Sequence, residues 1–110
     1  MPLRQIQQPI WPSGRTRSIA VLHFEPSHIA RRFGVQFHHE RDDLDEADVA
    51  AVQLPSGRLL LFVRYLGNAS SGTEVAADSG DDPEAARREL LETLDLDQTA
   101  VKWTPDGNHK

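Results

Sequence analysis

The sequence predicts a single α+β domain: a mainly antiparallel sheet of about five or six strands in the order β-α-β-β-β-β-α-β, with one amphipathic helix and one short helix on one face. Three observations lead there. Two β-rich runs, 49–54 and 59–66, flank Pro55-Ser56-Gly57-Arg58, which marks a hairpin with a four-residue turn. Residues 84–94 repeat apolar side chains at helical spacing behind a strong start signal, Asp82-Pro83. Hairpins dominate the rest, without the regular strand-helix-strand alternation of a doubly wound sheet.

Residues 1–17 hold three prolines, three glutamines and three arginines with no period, and read as an arm that is flexible or packs loosely along the body, anchored by Trp11. The domain proper then spans 18–104, followed by a polar tail, 105–110. Ser18 to Phe24 is β-branched and apolar on both faces, as in a well-covered strand. Pro26 ends it. Ser27 suits the N-cap of a short helix over 28–33, which Gly34 stops, with Ile29, Ala30 and Phe33 on one face. Val35, Phe37 and His39 alternate and predict a second strand.

Residues 40–48 contain six carboxylates in nine positions and read as an acidic connector, either a loop or one frayed helical turn. The hairpin follows. Its second run is apolar at nearly every position and belongs in mid-sheet. Gly67 to Gly72 is rich in turn formers, and Thr73 to Asp78 alternates as a half-exposed strand that completes a meander. In the second helix Asp82 caps, Pro83 fits the first turn, and Ala86, Leu90, Leu91 and Leu94 form the buried stripe. A turn over 96–99 and a short strand over 100–103 close the domain.

Composition bounds the function. With 110 residues and a hydrophobic fraction of 38%, the chain has the size of one domain with a modest core. The absence of cysteine excludes disulfides and thiolate metal sites and fits a reducing cytoplasm. The N-terminal residues lack the apolar run of a signal peptide, and the longest apolar stretch, 59–63, is far too short for a bilayer, so a soluble cytoplasmic protein without membrane contact is expected. The net charge of −5 is unevenly spread: residues 1–40 carry five arginines against two glutamates, while residues 41–110 carry seven basic and fifteen acidic groups. Such a field steers basic partners.

The chemical motifs are sparse. His38-His39-Glu40 with Asp42 and Asp43 is the densest set of metal-ligand types. Adjacent residues of a strand point to opposite faces, so a site there needs one of these histidines plus a distant ligand such as His23. The Gly67–Gly72 loop lacks the Gly-Lys-Ser/Thr ending of a phosphate loop, and no Gly-x-Ser-x-Gly elbow is present. Residues 27–35, Ser-His-Ile-Ala-Arg-Arg-Phe-Gly-Val, resemble the first helix and turn of helix-turn-helix proteins, which implies a recognition helix directly afterwards and DNA as partner. The following residues, 36–43, instead alternate like a strand and turn acidic, which phosphates repel.

The sequence therefore favours a non-enzymatic protein-interaction module without cofactor, of the kind that neutralises a basic partner, as immunity proteins and antitoxins do. Asp42, Asp43, Asp45, Glu46 and Asp48 would supply charge, and Trp11 or Trp103 a hydrophobic anchor. The alternative is a small-ligand or metal-binding regulatory domain using His23, His38 and His39; an enzyme with a cleft hidden from the sequence comes third. Strand edges at 73–78 or 100–103 could pair into a homodimer, unless the charged Glu74 and Lys102 protect them.

Overall fold

The structure, a computed structural model, describes residues 3–7, 10–41, 46–67 and 72–103, with Trp103 represented by its backbone. Seven strands and two helices follow one another as β1 (Arg4–Ile6), β2 (Thr16–Leu22), α1 (Pro26–Phe33), β3 (His38–Arg41), β4 (Glu46–Gln53), β5 (Leu59–Tyr65), β6 (Thr73–Asp78), α2 (Pro83–Leu94) and β7 (Val101–Trp103), with a 3₁₀ turn, Gln98–Ala100, before the last strand. All strands join one antiparallel sheet in the order β1-β4-β5-β6-β2-β7. β3 also pairs with β4. β1 covers residues 51–53 of β4 and β3 covers residues 46–49, so the two short strands lie end to end along one edge. The predicted α+β class and its meander, β4-β5-β6, are as observed. None of the described helices is long and apolar enough to cross a membrane.

The alternation of strand side chains decides where the core sits. Ala50 and Val52 of β4, Leu60 and Phe62 of β5, and Val75 and Ala77 of β6 are neighbours in register and share one face. That face packs against Ile29 and Phe33 of α1 and Ala86, Leu90 and Leu94 of α2 in one continuous cluster. Phe62, Leu60, Ile29 and Leu90 are fully buried. At roughly 1.5–3 kcal/mol for each large aliphatic or aromatic side chain, this layer is the main source of stability.

Local signals place the helix ends. Asp82 caps α2 by accepting from the Glu84 amide, as its sequence position implies. Gly34 closes α1 at φ 73°, in the left-handed region, and returns its amide to the Ala30 carbonyl. The start of α1 differs from expectation. The helix begins at Pro26, the N-cap is Glu25, and no side-chain cap is made. The Glu25 carboxylate is engaged elsewhere, accepting from the Gly72 amide at 2.7 Å and lying 3.5 Å from Arg64 Nε.

Three further boundaries move for tertiary reasons. Residues 4–6, inside the aperiodic arm, form β1 because the outer edge of β4 beyond β3 is available for pairing. Gln5 ties β1 to the segment that leads into β3, donating to the Gln36 carbonyl at 2.5 Å and accepting from its amide at 2.8 Å. The second strand starts at His38 rather than Val35. Val35 and Phe37 instead anchor the approach to it: Val35 is buried, and Phe37 sits 6.2 Å from the Phe62 ring. The acidic connector is shorter than expected, since Glu40 and Arg41 belong to β3 and Glu46 to Asp48 belong to β4.

Candidate functional site

The helices cover one face of the sheet, and the opposite face carries its own apolar strip. Register defines its rows. Glu40, Ala47 and Tyr65 lie side by side on β3, β4 and β5; the next row is His38, Val49, Val63 and Glu74 on β3 to β6. A third row holds Ile6, Ala51, Leu61 and Ala76. Ala47, Val49 and Val63 form a second apolar cluster, with Leu61 packed against it.

Residues 11–13, ahead of β2, lie over this face at one end. Ser13 is fixed there by Asp78, whose Oδ1 accepts from the Ser13 amide at 3.0 Å and the Ser13 hydroxyl at 2.9 Å. Donation from the Ser13 amide holds the Asp78 carboxyl below its ordinary range against the opposing effect of burial; the Ser13 hydroxyl and the Gly80 amide add to it. Trp11 belongs to the same segment and is half-buried. With Gln7, His38, Glu40, Val49, Ala51 and Leu61 it lines a depression of about 280 Å³. A second depression of about 220 Å³ continues from it over Val49, Leu61 and Val63 to Tyr65, rimmed by Glu40 and Arg41. The two share Glu40, Val49 and Leu61, so they form one shallow groove running from Trp11 to Tyr65. At its far end Tyr65 is 43% exposed.

The histidines do not converge. His38 turns to the groove face, where its Nε2 meets Glu40 Oε2 at 2.9 Å. His39 turns to the other face, with Nδ1 at 3.3 Å from Asp48 Oδ1 and Nε2 at 3.1 Å from Glu46 Oε1. A neutral ring donates to one of these carboxylates and the protonated ring to both. His23 lies past the end of β2, with β4, β5 and β6 between it and β3, about 19 Å away at the usual strand spacing. Among the described residues no three metal-ligating side chains are grouped to hold an ion. The geometry thus brings His38 to the groove and leaves His23 and His39 outside it.

Of the five acids read as partner-binding, Asp42, Asp43 and Asp45 lie outside the described residues. Glu46 and Asp48 are described and are engaged with His39, and Glu46 also with Arg41 at 3.4 Å. The described acids Glu46 and Asp48 do not fall at an edge neighbouring the acidic run 78–84. β4 and β6 run parallel on either side of β5, so Glu46 opens one end of the sheet and Asp78 closes the other. Trp11 is placed at the groove. Trp103 pairs through its backbone with Val21, and its side chain lies outside the description. After α1 comes the strand β3, not a second helix.

Sequence reasoning missed the groove itself. The signal was present in 59–65, where Leu59, Leu61, Val63 and Tyr65 alternate with Leu60, Phe62 and Arg64. A strand apolar on both faces, in a sheet whose helices cover one, leaves the other set without a helix among the described residues. Compared with known proteins, the chain matches no family model, no curated protein and no solved structure.

Proposed function

We propose that this chain is a small acidic protein-interaction module that engages a basic partner protein through the helix-free face of its sheet. The observation that carries this reading is the open groove from Trp11 to Tyr65, with an apolar floor of Val49, Leu61 and Val63. Its composition follows the anatomy of contact surfaces: an apolar centre, aromatic side chains at the ends and a charged rim. Overall charge supports a basic partner, because a net −5 raises the encounter rate with cationic surfaces. A chain without cysteine suits the reducing cytoplasm, where we place it. Blocking a basic active surface, in the manner of an immunity protein or antitoxin, is the sharpest form of this activity.

The test is a paired capture experiment from native lysate at low salt. Wild-type bait and a Leu61→Gln/Tyr65→Ser bait are compared, each shown to be folded by circular dichroism. The expected result is a basic protein retained by the wild type, released by salt and lost with the double variant. Tyr65→Ser alone, at an exposed position, serves if the double variant does not fold. Equal capture by all baits removes the groove from the interaction and sinks the reading.

A further inference from the structure

The groove has a charge pattern that specifies its occupant further. The row His38-Val49-Val63-Glu74 sets two apolar side chains between a histidine and a carboxylate, and Glu40 stands in the adjoining row beside Ala47. Glu40 and Glu74 therefore bracket the apolar strip from β3 and β6, three strand spacings or about 14 Å apart. Glu74 is half-buried on the groove face and makes no ion pair with a described residue. Glu40 is 62% exposed at its side chain and shares one oxygen with His38. The cation at the rim, Arg41, is held by Glu46.

We propose that the segment docked in this groove is an extended stretch of a protein in which arginine or lysine alternates with apolar residues. Its methylene stems lie over Val49 and Val63, and its charged heads reach Glu40 on one side and Glu74 on the other. Long cationic side chains suit this surface because their stems are apolar and their heads remain hydrated. An acidic segment or a phosphate backbone meets two carboxylates and a net negative chain instead. This assignment rests on the reading of the helix-free face as the contact surface.

Amide chemical-shift titration of the full chain tests it with three hexapeptides: acetyl-(Leu-Arg)₃-amide, acetyl-(Leu-Gln)₃-amide and acetyl-(Leu-Glu)₃-amide. The expected result is that the arginine peptide binds most tightly and moves the amides of residues 38–40, 47–49, 61–65 and 74. Glu40→Gln/Glu74→Gln should weaken it by about three- to tenfold, the range of two exposed ion pairs. Equal binding of the glutamine peptide, shifts confined to another surface, or no shifts at all overturn the assignment. Movement of the same amides on simple concentration of the peptide-free protein overturns it too, by placing a second copy on the face. The two readings separate in the capture experiment: if Leu61→Gln/Tyr65→Ser loses the partner and Glu40→Gln/Glu74→Gln keeps it fully, the contact surface stands and the cationic occupant falls.

Discussion

Among the glycines with left-handed backbone, Gly34 and Gly72 hold it for different reasons. Gly34 ends α1 at φ 73°, and a Cβ there meets nothing within 4 Å. Gly72 leads into β6 at φ 105°, and a Cβ there would stand 2.3 Å from the Leu22 carbonyl oxygen. Gly34→Ala should cost about 1–2 kcal/mol, the left-handed penalty of an L-residue. Gly72→Ala adds a clash with fixed backbone and should cost more, about 3 kcal/mol. Urea midpoints of the two variants check the order, and equal midpoints would contradict the close approach at Gly72. Asp78 contributes to the pH dependence. Its folded carboxyl titrates below the unfolded one, so its contribution is present above about pH 4 and is lost as pH falls through the lowered value. Asp78→Asn should lower stability near neutrality and shrink the loss on acidification, in urea titrations from pH 7 to 2.5. Glu89 and Asp97 are lowered as well, so some acid sensitivity remains. An unchanged acid limb in Asp78→Asn would separate Asp78 from it.

Among the elements, the turn of the β4–β5 hairpin is tied to α2 through Glu89. Glu89 accepts from the Ser56 amide at 2.9 Å, the Ser56 hydroxyl at 2.6 Å and Arg58 Nη1 at 2.8 Å. Burial pushes its carboxyl upward, yet the Ser56 and Arg58 donors together bring it below its ordinary range. The turn Pro55–Arg58 was legible from its residues, and α2 from its cap and stripe. That the tip of one docks on the side of the other was not, because Ser56 and Glu89 are 33 positions apart. Hydrogen bonds to a charged group contribute about 1.5–3 kcal/mol. A double-mutant cycle of Ser56→Ala and Glu89→Gln should therefore return a coupling of about 1–3 kcal/mol; additive losses would show that the contact does not stabilise the fold. α2 also reaches β2: the β2–β6 register shifts between Ser18 and Ala20, and Arg87 of α2 donates to the Ile19 carbonyl there at 3.1 Å.

For the whole molecule, the governing property is a sheet with one helical cover. Leu60 and Leu61 are adjacent in β5 and chemically identical, but Leu60 faces the helices and Leu61 the groove. Leu60 is fully buried and Leu61 partly so. Leu60→Ala should cost about 2–5 kcal/mol through lost burial and a cavity. Leu61→Ala should cost about 1 kcal/mol, since the loss of side chain opens onto solvent. Chemical denaturation of the pair measures the asymmetry directly, and equal costs would mean that the groove face is packed like the core.

Much of this architecture was set locally. The α+β class, the hairpin, the stop at Gly34, the capped second helix and its leucine stripe follow from side-chain period and turn chemistry within a dozen residues. Pairing partners are non-local, and the boundaries that depend on them moved: β1 forms because β4 has a free edge, and Glu25 replaces Ser27 at α1 because Gly72 and Arg64 come to it. The candidate site was legible only in its parts. Trp11 and the acidic run were visible, whereas the groove arises from side chains of β3, β4 and β5 aligned by register. A sequence determines which residues can bury and which can turn, since those are properties of a few neighbouring dihedrals and side chains. Which face the helices cover, and which apolar residues are thereby left to meet another molecule, was decided only by tertiary packing, because it depends on contacts between segments far apart in the chain.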